Sequence, residues 1–132
     1  MITIRYPNNP DQLHQDPPFV RDLKDLGAQG GHKQCLMTIR KMVKDLLLSG
    51  KDCQFIKNLT GVPNIMELKA NAKGAGAGGA RVYFFFTESE EAFLGAAECK
   101  KINSPDQNLI QRLAIMAYAY HHGVSLFKET NT

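Results

Sequence analysis

Apolar and polar positions alternate at the start of the chain, through Ile2, Thr3, Ile4, Arg5 and Tyr6 to Pro7. A period of two predicts a short strand. Asn, Asp, Gln and Pro dominate from Asn8 to Pro18, which makes that stretch a loop. Pro17-Pro18 opens a short helix carrying Phe19, Leu23 and Leu26, closed by Gly27. Between His32 and Ser49 the apolar residues Leu36, Ile39, Val43, Leu46 and Leu47 recur mainly at three- and four-residue steps, the stripe of an amphipathic helix. Gly50 stands where a left-handed helix cap belongs. A second, shorter helix is expected around Cys53 to Leu59, with Phe55, Ile56 and Leu59 on its buried side.

The pattern changes after this point. Thr60 to Asn64 reads as a turn and Ile65 to Ala70 as a strand. Residues 71–80, Asn-Ala-Lys-Gly-Ala-Gly-Ala-Gly-Gly-Ala, form a glycine-rich connector. Arg81 to Thr87 is an aromatic-rich strand, Glu88 to Glu91 a polar turn, and Ala92 to Lys101 a third strand. Three strands with such links make an antiparallel meander. Ser104-Pro105-Asp106-Gln107 carries a helix start, with Ser as N-cap and Gln at the capping-box position. Leu109, Leu113, Met116, Ala117 and Tyr120 form the apolar face of that helix, and Gly123 ends it. The expected fold is therefore a single α+β domain over residues 1–132 with an extended N-terminal segment (1–31). The first strand joins the meander as an edge and the helices cover one face.

Composition adds limits to this picture. The 132 residues are 43% hydrophobic and 22% charged, ordinary for a folded domain of this size. No apolar run approaches the length of a membrane span, and the first residues lack the apolar stretch of a signal peptide. Cys35, Cys53 and Cys99 are odd in number and widely spaced, so reduced, buried thiols in a cytoplasmic protein are expected. The net charge is +3. Six cations between Lys33 and Lys57 face only Asp45 and Asp52, which suits a solvated helix face.

Sites of chemistry are few by motif. Lys73 to Gly79 lacks the Gly-Lys-Ser/Thr ending of a phosphate loop and leads into a strand, so no nucleotide site is expected. His121 and His122 point about 100° apart on a helix, poor geometry for one metal, and no metal or other cofactor is expected. What stands out is a set of cations on the meander: Lys69, Lys73, Arg81 and Lys100-Lys101. Lys69 and Arg81 flank one hairpin and share a sheet end. Beside aromatic Tyr83 such cations suit a phosphate backbone with a stacked base. They equally suit plain surface charge at strand ends.

From about Leu59 to His122 the chain resembles the RelE/HigB/ParE toxin superfamily, and its phage-derived HigB-like branch in particular. The resembling segments are Leu-Thr-Gly-Val-Pro-Asn-Ile-Met-Glu-Leu-Lys (59–69), Gly79-Ala80-Arg81-Val82-Tyr83-Phe84, and Ala97-Glu98-Cys99-Lys100-Lys101 followed by Ser104-Pro105. The extended N-terminus and the long Gly/Ala connector depart from the family pattern. The resemblance implies the toxin of a toxin–antitoxin pair: a metal-independent endoribonuclease that cuts messenger RNA on the ribosome and is neutralised by an antitoxin protein. It casts Arg81 as the phosphate clamp and Lys69 as a charge stabiliser or base. Lys101, with Lys100, becomes a basic position after the last strand, and His121 of the Tyr120-His121 pair a further catalytic group. Lys73, Tyr83 and Lys100 would contact RNA. A ParE-like or degenerate binding protein on the same fold is the alternative, and Glu88, Glu90, Glu91 and Glu98 keep it open because they weaken an RNA-facing field.

Overall fold

The computed structural model describes residues 1–30, 32–59, 61–72, 79–100 and 106–128. Its centre is the strand Gly79–Phe86 (β4), in which Ala80 to Phe85 are all buried. Val82 and Phe84 point to one side; Tyr83 and Phe85 point to the other. A strand apolar on both faces needs cover on both, and that requirement sets the layers. Helices α1 (Pro18–Ala28) and α2 (Lys33–Ser49) pack on the Val82/Phe84 side, and α3 (Gln107–His121) packs on the Tyr83/Phe85 side. The expectation that all helices share one face is corrected: the sheet lies between two helical layers.

The remaining strands are β1 (Thr3–Arg5), β2 (Ile56–Asn58), β3 (Met66–Ala70) and β5 (Glu91–Lys100). They form one mixed sheet in the order β1-β5-β4-β3-β2, so the fold is α+β. The meander β3-β4-β5 is antiparallel as expected. The N-terminal strand joins it as an edge, parallel to β5.

Local sequence explains the differences from expectation. The helix expected over Cys53 to Leu59 is absent. A 3-10 turn, Gly50–Asp52, leads instead into β2, which pairs Ile56 with Leu68 of β3. Gly50 does have positive φ and ends α2 there, its N–H donating to the Leu46 carbonyl. The buried stripe of α2 runs through Cys35, Ile39, Met42 and Leu46, rotated from the apolar row, so that Leu36, Val43 and Leu47 are only half-buried. Within β5, Gly95 is the extra residue of a bulge: Tyr83 pairs with Ala96 and Phe84 with Leu94. A side chain there would collide with Leu113 of α3. The N-cap of α3 is Asp106, which accepts from the N–H groups of Asn108 and Leu109, and not Ser104, which lies outside the described residues.

The cysteines overturn another expectation. Cys35 of α2 and Cys99 of β5 are joined in a disulfide, with Cα atoms 6.3 Å apart. Only Cys53 is a free, buried thiol, and burial pushes its pKa up to about 11, so it is unreactive near neutral pH.

β1 covers only Glu91 to Phe93 of β5, so that among the described residues the farther half of that edge has no strand partner. Side chains from both helical layers close it. Asp22 of α1 accepts from the Ala97 N–H at 3.0 Å and from Arg112 of α3 at 2.7 Å, while Arg112 also donates to the Gly95 carbonyl. No helix among the described residues is long and apolar enough to cross a membrane.

Candidate functional site

Strand register decides which of the singled-out cations meet. Lys69 on β3 lies directly opposite Arg81 on β4. Lys100 on β5 lies opposite Gly79, two residues from Arg81 and on the same face. Three of the cations, Lys69, Arg81 and Lys100, thus converge at one end of the sheet, on the face that α3 covers farther along. Lys73 and Lys101 lie outside the described residues.

Register also brings carboxylates to that face. Glu98 is the direct partner of Arg81, and Glu67 that of Tyr83. Arg81 Nη1 lies 3.4 Å from Glu67 Oε2, and Lys100 Nζ lies 3.7 Å from Glu98 Oε1. Asp106, at the start of α3, is close enough to act on Glu98. Among the described residues Lys69, Arg81 and Lys100 are therefore matched in number by Glu67, Glu98 and Asp106.

Burial restricts the chemistry further. Arg81 is 1% exposed and Tyr83 is fully buried. A base-stacking platform must present its ring to solvent. Tyr83 instead packs in the core between the sheet and α3, so the expectation of an RNA-stacking tyrosine is corrected. Burial pushes the Tyr83 phenol well above its ordinary range, as does the nearby Glu98 charge, so it stays protonated. Burial likewise raises the carboxyl pKa of Glu67, outweighing the opposing pull of Arg81 and Lys69. Glu98 is raised first by burial and then by Asp106, against the opposing effects of Lys100, Tyr83 and Arg81. Although the Tyr83 hydroxyl is near enough to favour the ionised Glu98, neither that hydroxyl nor either Glu98 oxygen has a hydrogen bond of good geometry.

His121 is not part of this cluster. It is exposed and lines a cavity of about 340 Å³ with Lys51, Thr87 and Glu88, beside the β4–β5 turn. From Arg81 to Phe86, at the other end of β4, is about 17 Å at the usual rise per strand residue. Tyr120 packs edge-on against Phe93. The expectation that His121 acts together with Arg81 is corrected by this separation.

The residues that sequence reasoning undervalued here are Glu67 and Glu98. Their signal is the two-residue alternation Glu67-x-Lys69 and Glu98-x-Lys100, which places an acid and a cation side by side on one face of each strand flanking β4. Among the described residues no group of His, Cys, Asp and Glu is arranged to hold a metal ion. Among the described residues the cluster buries Arg81 against Glu67 and presents no exposed guanidinium at this end of the sheet. No protein-family model matches the chain, and no curated protein is significantly similar to it.

Proposed function

We propose that this protein is a non-catalytic binding protein with a toxin-like α+β fold, the ParE-like alternative, and not a messenger-RNA nuclease. The element order supports the fold part of this reading: one strand, two helices, the short strand β2, the β3-β4-β5 meander and a closing helix. The observation that carries the functional part is the burial of Arg81 in its pair with Glu67. A phosphate clamp has to meet its substrate, and moving this guanidinium outward would leave the Glu67 carboxylate buried and unpaired. In this reading the protein inhibits growth by occupying a protein target in the cytoplasm, and an antitoxin protein releases it by binding.

A second reading, the ribosome-dependent endoribonuclease, is favoured by the convergence of Lys69, Arg81 and Lys100. The two separate cleanly on induced expression with mapping of messenger 5′ ends. The binding reading expects growth arrest without new ends inside coding regions, and arrest that survives in an Arg81→Met/Glu67→Leu variant. Ribosome-dependent cleavage that this variant abolishes would establish the nuclease. Unimpaired growth at high expression would remove both toxin readings and favour a degenerate, non-toxic member of the same fold.

A further inference from the structure

On the side of the sheet that α1 and α2 cover, away from the charged cluster, a groove of about 440 Å³ runs between β1, α1 and α2. Its long wall is α2, where Ile39, Val43 and Leu47 follow one another at four-residue spacing over about 12 Å of helix. Phe19 and Leu23 of α1 face them, and Ile4 with Tyr6 closes one side, the Tyr6 ring stacked on Phe19 at 5.3 Å. Val43 and Leu47 are half-buried because the rotation of α2 leaves them outside the core, and Leu23 of α1 is half-buried opposite them.

Two cations border this apolar lining. Arg40 and Lys44 lie one helical turn apart on α2, both exposed, and among the described residues no acidic side chain lines the groove. Neither cation forms an ion pair among the described residues. Asp45, the nearest acid in sequence, is turned away and accepts from the Gln54 N–H. Like charges at this spacing repel each other on a helix, and an anion placed between them removes the repulsion.

We infer that this groove binds a small anionic amphiphile, a carboxylate on a short or medium hydrocarbon chain, with the chain along Ile39, Val43 and Leu47 and the carboxylate between Arg40 and Lys44. The volume lies within the range of small-molecule sites, and the lining has their usual character, mostly apolar with a few polar groups that fix orientation. The site is independent of the toxin-like reading, because it uses none of the residues of the charged cluster.

The test is titration of decanoate into the full-length protein, followed by calorimetry and by amide NMR shifts, with decanol as the uncharged control. Decanoate is expected to shift amides of β1, α1 and α2 and to bind more tightly than decanol. An Arg40→Gln/Lys44→Gln variant should bind decanoate up to about tenfold more weakly, the scale of two exposed charge contacts, with decanol unchanged. Val43→Trp, checked for folding by circular dichroism, should abolish both by filling the groove. The inference is overturned by absence of decanoate binding at about 1 mM, by equal affinity for decanol, or by indifference to the double substitution. It is also overturned if an acidic amphipathic peptide, or a second copy of the chain, occupies the groove where decanoate does not.

Discussion

Arg81 Nη1 lies 3.4 Å from Glu67 Oε2, diagonally across β3 and β4, with the two side chains only 1% and 8% exposed. Burial keeps the Glu67 carboxyl pKa raised even beside this cation, so desolvation exceeds the attraction that the pair regains. Such pairs are costly to break and cheap to replace by apolar groups. Glu67→Ala should destabilise the fold by about 3–5 kcal/mol, whereas Arg81→Met/Glu67→Leu should cost far less than the two single changes together. Urea denaturation of the three variants decides this. If the losses simply add, the two residues do not act as a buried pair.

Glu98 provides a pH signature of the same end of the sheet. Its pKa is raised, chiefly by burial and also by Asp106. Between the unfolded and the folded pKa the native chain therefore holds more protons than the unfolded one. The stability this group contributes is full in acid and is lost as pH rises through that window. Glu67 acts with the same sign. Glu98→Gln, which keeps the shape and removes the charge, should raise stability near pH 7 by about 1 kcal/mol. That gain should shrink as pH falls toward about 4, where the unfolded carboxyl also becomes largely protonated. Urea midpoints measured from pH 4 to 8 test the claim, and a variant less stable than wild type at neutral pH would refute it.

Much of the architecture was legible because its periods are strong. The alternation in Ile2 to Pro7, the aromatic run before Thr87 and the three- and four-residue steps of α2 each specify an element on their own. Phe55-Ile56 misled because a segment this short has no decisive period, and its fate was set by pairing with Leu68. The second helical layer was in principle readable from the unbroken apolar run Val82 to Phe86, which no single covering layer can bury. The candidate site was only half legible. That Lys69 and Arg81 share a sheet end follows from one hairpin. That Arg81 is sealed with Glu67, or that Cys35 reaches Cys99, depends on long-range packing that spacing does not encode.

The Cys35–Cys99 disulfide closes a loop with a sequence separation of 64 residues. On the chain-entropy account a loop of that length contributes ~4 kcal/mol through the unfolded state. Reduction, or Cys35→Ser, should lower urea stability by that order while leaving the Cys53 thiol buried. Thiol titration of the unreduced protein in denaturant should find one reactive cysteine, rising to three after reduction, since the chain has three cysteines and one is free. Disulfides persist mainly in oxidising compartments. The same titration on protein trapped with alkylating reagent inside cells therefore bears on the cytoplasmic location that the toxin-like readings require. Three thiols there would mean that the bond forms only on exposure to oxidant.

The half of the β5 edge that β1 does not cover gives the last expectation. A strand edge with free N–H and C=O groups invites pairing with another chain. Here Asp22 takes the Ala97 N–H and Arg112 takes the Gly95 carbonyl, and the two side chains bond to each other at 2.7 Å. Asp22→Ala removes the shared acceptor, which strands the Ala97 N–H and leaves Arg112 only the Gly95 carbonyl, at a cost of about 2 kcal/mol. Asp22→Asn keeps one acceptor oxygen and should lose less. The specific readout is hydrogen exchange at the Ala97 amide, which should accelerate in Asp22→Ala well beyond the change at amides of the β3–β4 ladder. The same variant should aggregate at lower concentration, because its newly open edge is free to template a neighbour. An Ala97 amide that stays as protected as in wild type would mean that this carboxylate does not guard the edge.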